Sequence, residues 1–207
     1  GEVILNGDVL NISDAKSVLL LTRTQKYYEN SEEYWAKGEI QKQLSNLFPD
    51  YQKLLGRHTA EHGTIYDRVK LDLNALDKDR SLSNEKLLEI QQQSNYPVMA
   101  LWERIFDAGR YYILSSSSEL TPPDLLGIWT GDCQAGWGGF YHLDANLNLQ
   151  VSSGNIAAMP EAMEGYFKIN EAWRDDFRLN ARNLLGCRGL LACGNTTGQQ
   201  SGLMAGI

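Results

Sequence analysis

The sequence predicts a mainly α-helical protein whose β-strands are confined to residues 1–30, and three observations carry that prediction. Apolar residues sit in short runs between turn formers up to residue 30, and recur at helical spacing from Ser31 onward. They then give way to a long segment rich in Ser, Gly and Pro at residues 116–159. With 207 residues and 43% hydrophobic content, the chain has enough apolar material for a packed core.

Val3 to Leu5, Val9 to Ile12 and Ser17 to Thr22 read as strands, separated by the turn formers Asn6-Gly7-Asp8 and Ser13-Asp14. Three strands do not close a sheet-on-sheet core, so residues 1–30 are expected to be the last strands of a longer β-domain. The apolar, Gly-containing end from Gly202 to Ile207 fits the same expectation of a piece of something longer.

Ser31-Glu32-Glu33 ahead of Tyr34-Trp35 is a helix start, followed by Ile40, Leu44 and Leu47 and a stop at Pro49. A second helix is expected from Pro49 to Ile65, with Tyr51, Leu54 and Leu55 on one face. The charged stretch Asp77 to Ser81 reads as a solvated loop and sets a boundary, giving a helical linker at 31–80 and a main domain at 81–207.

Asn84 is expected to cap a helix through Ile90. Val98, Met99, Leu101, Trp102, Ile105, Phe106, Tyr112 and Ile113 then recur at helical spacing over about five turns, which predicts a buried helix. Pro160-Glu161 opens another, running to Phe177 with Met163, Tyr166, Phe167 and Trp173 on its inner side. Trp35, Trp102 and Trp173 lie on predicted helices and are expected in the core. Between these helices, the connection 116–159 is too long for a simple turn and is expected to carry function.

Nineteen basic and 26 acidic side chains give a net charge of −7 with no long run of either sign. That argues against nucleic acid or an anionic membrane as partner and favours a neutral or cationic ligand. No apolar run reaches the roughly 18 to 20 residues that span a bilayer, and Gly1-Glu2-Val3-Ile4 lacks the features of a signal peptide. Cellular location and oligomeric state are left open.

Cys133, Cys187 and Cys193 form no Cys-x-x-Cys pair and read as ordinary thiols. His58 and His62 stand at i, i+4 without a His-Glu-x-x-His order, so a linker surface is expected there. No metal and no cofactor is expected. Glu161 and Glu164 read as partners of a helix dipole, and the glycines of residues 186–194 as turns, since a phosphate-loop pattern is missing. Cys187 has no histidine beside it in sequence to make it a nucleophile. Asn11-Ile12-Ser13 and Asn195-Thr196-Thr197 are formal glycosylation sequons.

The chemistry concentrates in Gly127-Ile128-Trp129 and in Trp137 to Asn146, where rings and short polar side chains share a loop-rich stretch. Aromatic rings stack on the apolar faces of sugars, while Asp, Asn and His reach hydroxyls and a reacting water. Trp129 and Trp137, set in Gly-rich loops, are expected to wall a sugar subsite. In an extended segment residues i, i+2 and i+4 share a face, so His142, Asp144 and Asn146 are expected to point together into a cleft. The competing reading has Asp144 and Asn146 satisfying loop backbone groups.

These residues carry a resemblance. Ala108-Gly109-Arg110-Tyr111-Tyr112-Ile113-Leu114 with the serine run to Ser118, Pro122-Pro123-Asp124-Leu125-Leu126-Gly127-Ile128-Trp129, Trp137, and His142-Leu143-Asp144-Ala145-Asn146 resemble glycoside hydrolase family 95, the inverting α-L-fucosidases. His58 and Asp67 to Leu73 resemble the end of that family's linker. The resemblance implies an N-terminal β-domain, a helical linker and an (α/α)6 barrel, of which 81–207 would be the first part. It also implies an oligosaccharide or glycan substrate with a terminal α-L-fucosyl or α-L-galactosyl group.

By the same resemblance Asp144 and Asn146 hold the nucleophilic water and His142 touches the sugar, while the general acid, a glutamate, lies further along the barrel. The chain departs from the family at Asp124-Leu125-Leu126, where Asn-Leu-Gln is usual, and at Leu149-Gln150-Val151-Ser152, where Met-Asn-Tyr-Trp is usual. Those departures motivate an alternative, a non-catalytic carbohydrate-binding relative.

Overall fold

The computed structural model describes residues 1–24, 33–131, 134, 136–196 and 202–203, with side chains of 33–36 outside the described set. The chain forms two compact units, Gly1–Ala60 and Glu61–Ile207.

In the first unit, β1 (Glu2–Asn6) and β2 (Val9–Ser13) form an antiparallel hairpin in register from Glu2↔Ser13 to Asn6↔Val9. That register leaves Gly7-Asp8 as a two-residue turn, and Gly7 takes the left-handed φ of 60° such turns demand. Every strand residue is exposed, on both faces of the hairpin. The predicted third strand, Ser17 to Thr22, joins no ladder among the described residues. An apolar extended run becomes a strand only by hydrogen bonding along an edge, and this run engages none.

α1 (Glu33–Ser45) occupies the predicted place and stops short of Pro49; its start signal at Ser31-Glu32 and the side chain of Trp35 lie outside the described residues. α2 (Tyr51–Tyr66) begins one residue after Asp50, whose Oδ1 accepts the Lys53 N–H at 3.1 Å.

In the second unit, α3 (Asp77–Arg80) is one helical turn, α4 spans Asn84–Gln93 and α5 spans Met99–Ser116. The cap of α4 is Ser83, whose Oγ accepts the Lys86 N–H at 3.3 Å, and not Asn84. Asn84 instead accepts from Arg104 at 2.9 Å.

The predicted single helix from 161 to 177 is two: α7 (Glu161–Ala172) and α8 (Arg174–Leu185), broken at Trp173. Trp173 and Phe177 are buried with Tyr141, Leu143, Leu147, Val151 and Cys193, and Met163, Tyr166 and Ile169 pack against that cluster. Phe167 lies about 100° round the helix from Tyr166 and is exposed, against its predicted inner placement. Gly165 of α7 lies so close to the preceding loop that a Cβ there would meet Thr121 C at 2.4 Å and Ser118 O at 2.6 Å.

α5 corrects the expectation of an apolar buried helix. Trp102 and Ile105 are each 50% exposed and Tyr112 is 52% exposed, so Trp102 is not in the core. The buried positions are Ala100, Leu101, Glu103 and Arg110. Glu103 accepts from Arg80 (Nε at 2.8 Å, Nη2 at 3.0 Å) and from the Leu73 N–H at 2.7 Å. The Arg80 guanidinium and then the Leu73 N–H hold the Glu103 carboxyl at about 2, well below the usual carboxylate range. Arg80 also pairs with Asp72 at 2.8 Å, so Asp77 to Ser81 is a tethered helical turn and not a solvated loop.

Arg110 donates to the carbonyls of Ile65 at 3.0 Å, Val69 at 2.9 Å, Ala157 at 3.2 Å and, closely, Tyr66. Two of these carbonyls end α2, where helical partners run out. Ala100 and Leu101 pack against Leu87 of α4, but at Glu103 and Arg110 the inner neighbours of α5 are irregular or helix-end backbone, which needs donors and acceptors more than it needs methyl groups.

Candidate functional site

The long connection leaves α5 by a turn that Ser118 builds: its Oγ accepts the N–H groups of Leu120 at 3.2 Å and Thr121 at 3.0 Å. Pro122, fully buried, follows. Asp124 then folds the next turn, accepting the Leu126 N–H on Oδ1 at 3.0 Å and the Gly127 N–H on its carbonyl at 3.3 Å. Gly127 has a left-handed φ of 60°, and a Cβ there would meet the Trp129 ring at 3.1 Å. Glycine at 127 therefore lets Trp129 fold back over its own turn.

Trp129 packs edge-on against Tyr112 (centroids 4.8 Å apart) and tilted against Tyr111 (6.1 Å). These rings border a mostly apolar cavity of about 410 Å³, lined by Tyr112, Ser116, Asp124, Leu126, Trp129 and Gln150 among others. Trp129 itself is 44% exposed.

The second group is built on β3 (Tyr141–His142), which pairs antiparallel with β4 (Asn195–Thr196), and Leu143 N–H extends the pairing to Gly194 O at 2.8 Å. Tyr141 and Leu143 enter the core, so strand alternation turns His142 to the other face. The His142 ring meets Trp137 edge to face, centroids 5.9 Å apart at 90°. Its Nε2 is buried and, among the described residues, has no hydrogen-bond partner. Trp137 is 77% exposed and holds a φ of 58°, rare for an aromatic residue.

The chain does not stay extended through Asp144 and Asn146. It turns at residues 143–145 and enters α6 (Asn146–Ser152), so His142 stands on a strand, Asp144 on a turn and Asn146 on the first turn of a helix. Leu147 and Val151, four apart, bury one helical face and drive that change. Asp144 and Asn146 are both exposed.

Trp137, His142, Asp144 and Asn146 do not line the Trp129 cavity. Sequence reasoning missed Gln150, which joins the two groups: its Nε2 donates to the Asp124 and Leu125 carbonyls, both at 3.2 Å. The signal was partly present, because Gln150 is one of the departures from the family pattern and its contact falls on the backbone of the other departing stretch, Asp124 to Leu126. Glu161 is engaged elsewhere, in an ion pair with Arg68 at 2.8 Å that lowers its carboxyl. His62 packs between Tyr66 and Tyr111, with centroids 5.2 and 5.5 Å away.

Residues 50–202 match the model of the glycosyl hydrolase family 95 catalytic domain. A helical domain carrying sugar-type aromatic and carboxamide groups is thus of the glycoside hydrolase class. More specifically, this chain belongs to glycosyl hydrolase family 95. It is 45% identical over 147 residues to a probable alpha-fucosidase A of Aspergillus oryzae (67% of this chain, 20% of the relative). It is also 31% identical over 103 residues to a probable alpha-fucosidase A of Aspergillus niger (49% of this chain, 12% of the relative). With alpha-L-fucosidase 2 of Arabidopsis thaliana it shares 27% over 148 residues (69% of this chain, 17% of the relative). The chain therefore spans a fifth or less of the length of these relatives.

Proposed function

We propose that this chain is part of an inverting glycoside hydrolase that removes terminal α-L-fucosyl or α-L-galactosyl groups from oligosaccharides. Residues 81–207 would form the first part of an (α/α)6 barrel, 31–80 the helical linker before it and 1–30 the end of a β-domain. Asp144 and Asn146 hold and polarise the attacking water, His142 binds a sugar hydroxyl, and Trp129 and Trp137 wall the subsite from two separate groups, since the Trp129 cavity is not lined by Trp137 or His142. Inversion needs an acid roughly 6.5 to 9.5 Å from the water's base, on the other face of the sugar, and that acid comes from another part of the barrel.

One observation supports this reading above the others: the buried Nε2 of His142, without a hydrogen-bond partner among the described residues, beside the exposed ring of Trp137 and one turn from Asp144 and Asn146. A buried polar nitrogen left unpaired is costly, and a sugar hydroxyl would satisfy it. Asp144→Ala and Asn146→Ala in the intact enzyme are expected each to lower kcat on a fucosyl oligosaccharide by about 10²-fold or more, with circular dichroism unchanged. Unaltered turnover in both variants would sink the assignment.

A second reading, a carbohydrate-binding relative without turnover, is favoured by where two side chains are spent: Asp124 Oδ1 accepts the Leu126 N–H of its own turn, and Gln150 Nε2 donates to the Asp124 carbonyl. It predicts calorimetric binding of fucosides by the intact protein with no hydrolysis.

A further inference from the structure

A second cavity, of about 420 Å³, lies at the end of α8 and is lined by Arg178, Arg182, Cys187, Arg188, Gly189 and Leu190. Arg178 and Arg182 stand four residues apart, on one helix face. The helix stops at Gly186, whose left-handed φ of 63° turns the chain back, with the Gly186 N–H donating to Arg182 O at 3.0 Å and the Cys187 N–H to Ala181 O at 3.2 Å. Farther on, the Leu191 N–H donates to Phe177 O at 3.0 Å and Asn180 Nδ2 donates to Leu191 O at 3.0 Å. The returning segment is thereby fastened to α8, and Arg188 is held in the same cleft as the two helix arginines.

The charges there are poorly matched. Arg178 pairs with Asp175 at 2.7 Å, whereas Arg182 and Arg188 make no ion pair among the described residues, and no carboxylate lines the cleft. Three arginines elsewhere in this chain are spent internally: Arg68 on Glu161, Arg80 on Glu103, Arg110 on carbonyls. Three guanidinium groups in one cleft of a chain with a net charge of −7 are therefore an exception to its overall balance. Guanidinium forks match the oxygens of sulfate and phosphate, and like charges held together are relieved when such an anion binds. Leu190, largely exposed, adds an apolar wall beside them.

We propose that this cleft binds a sulfate or phosphate group, carried as a substituent on the glycan. The glycan as source rests on the proposed function; the oxyanion site does not. The net negative charge still disfavours a long polyanion, whereas one substituent meets only the local field.

Cys187, an exposed thiol in the cleft, is the reporter, and buried Cys193 is the internal control for unfolding. The rate of Cys187 alkylation by neutral iodoacetamide is read by peptide mass in sulfate, in phosphate, and in chloride at matched ionic strength. Sulfate or phosphate, and not chloride, is expected to slow Cys187 while leaving Cys193 protected. Arg182→Gln and Arg188→Gln should each raise the half-protecting concentration about tenfold or more, the loss of one charge-assisted hydrogen bond.

Equal protection by chloride, or protection unchanged in both variants with Cys193 still unreactive, overturns the site. A sulfated fucosyl oligosaccharide should protect at lower concentration than inorganic sulfate, and its desulfated form should not. If inorganic sulfate protects and the sulfated glycan does no better, the glycan source is wrong, while hydrolysis by the Asp144 and Asn146 machinery is judged by its own test.

Discussion

α5 and the α6–α8 group solve the same problem in opposite ways. In α6 to α8 the buried face is mainly apolar, gathering Leu147, Val151, Trp173 and Phe177 around β3. In α5 much of the apolar side chain area faces out and the buried face carries Glu103 and Arg110, each clasping backbone or a charged partner. The difference lies in what each helix meets. Helices and a strand satisfy their own hydrogen bonds and offer apolar surface, while irregular chain offers unpaired N–H and C=O groups.

Breaking the charged side should have the largest effect. Arg110→Ala orphans up to three carbonyls, those of Tyr66, Val69 and Ala157, and is expected to lower unfolding stability by roughly 3 to 6 kcal/mol, at about 1–3 kcal/mol for each group that water cannot reach. Urea denaturation followed by circular dichroism measures it, and a loss under about 1 kcal/mol would mean the clamp is incidental.

On the apolar side, Leu147→Ala removes a side chain that is 1% exposed and should cost about 2 to 5 kcal/mol by the same assay. A cost well below that range would show the α6–α8 core to be loosely packed.

The smallest effect sharpens the contrast by its pH dependence. The Glu103 carboxyl is depressed to about 2 in the folded chain, so its contribution is present above the ordinary carboxylate pKa and is lost as pH falls toward 2. The urea midpoint should therefore decline over that acid range, and Glu103→Gln should flatten the decline while leaving the response to Leu147→Ala unchanged.

Element by element, legibility in the sequence followed locality. Helices α2, α4 and α5 were legible because spacing, caps and Pro stops act within a few residues. The outward face of α5 was not, because periodicity marks an apolar stripe without naming what lies opposite it. The site was partly legible: ring and carboxamide composition located Trp129 and Trp137 to Asn146, but an extended pattern was read where Leu147 and Val151 impose a helix. Gln150 stood out as a departure from the family pattern, but its bridging contact was not legible, since its partners are carbonyls 25 and 26 residues away.

Trp137, Gly138 and Gly139 hold φ values of 58°, 70° and 63° in succession. A left-handed φ at Trp137 narrows its rotamer choice, and the conformational cost of this backbone run is met when the chain folds. Under the proposed function, a sugar docking on that ring would find the backbone that carries it already set. The entropy that flexible loops surrender on binding would then be small, and affinity for weakly gripping ligands correspondingly greater.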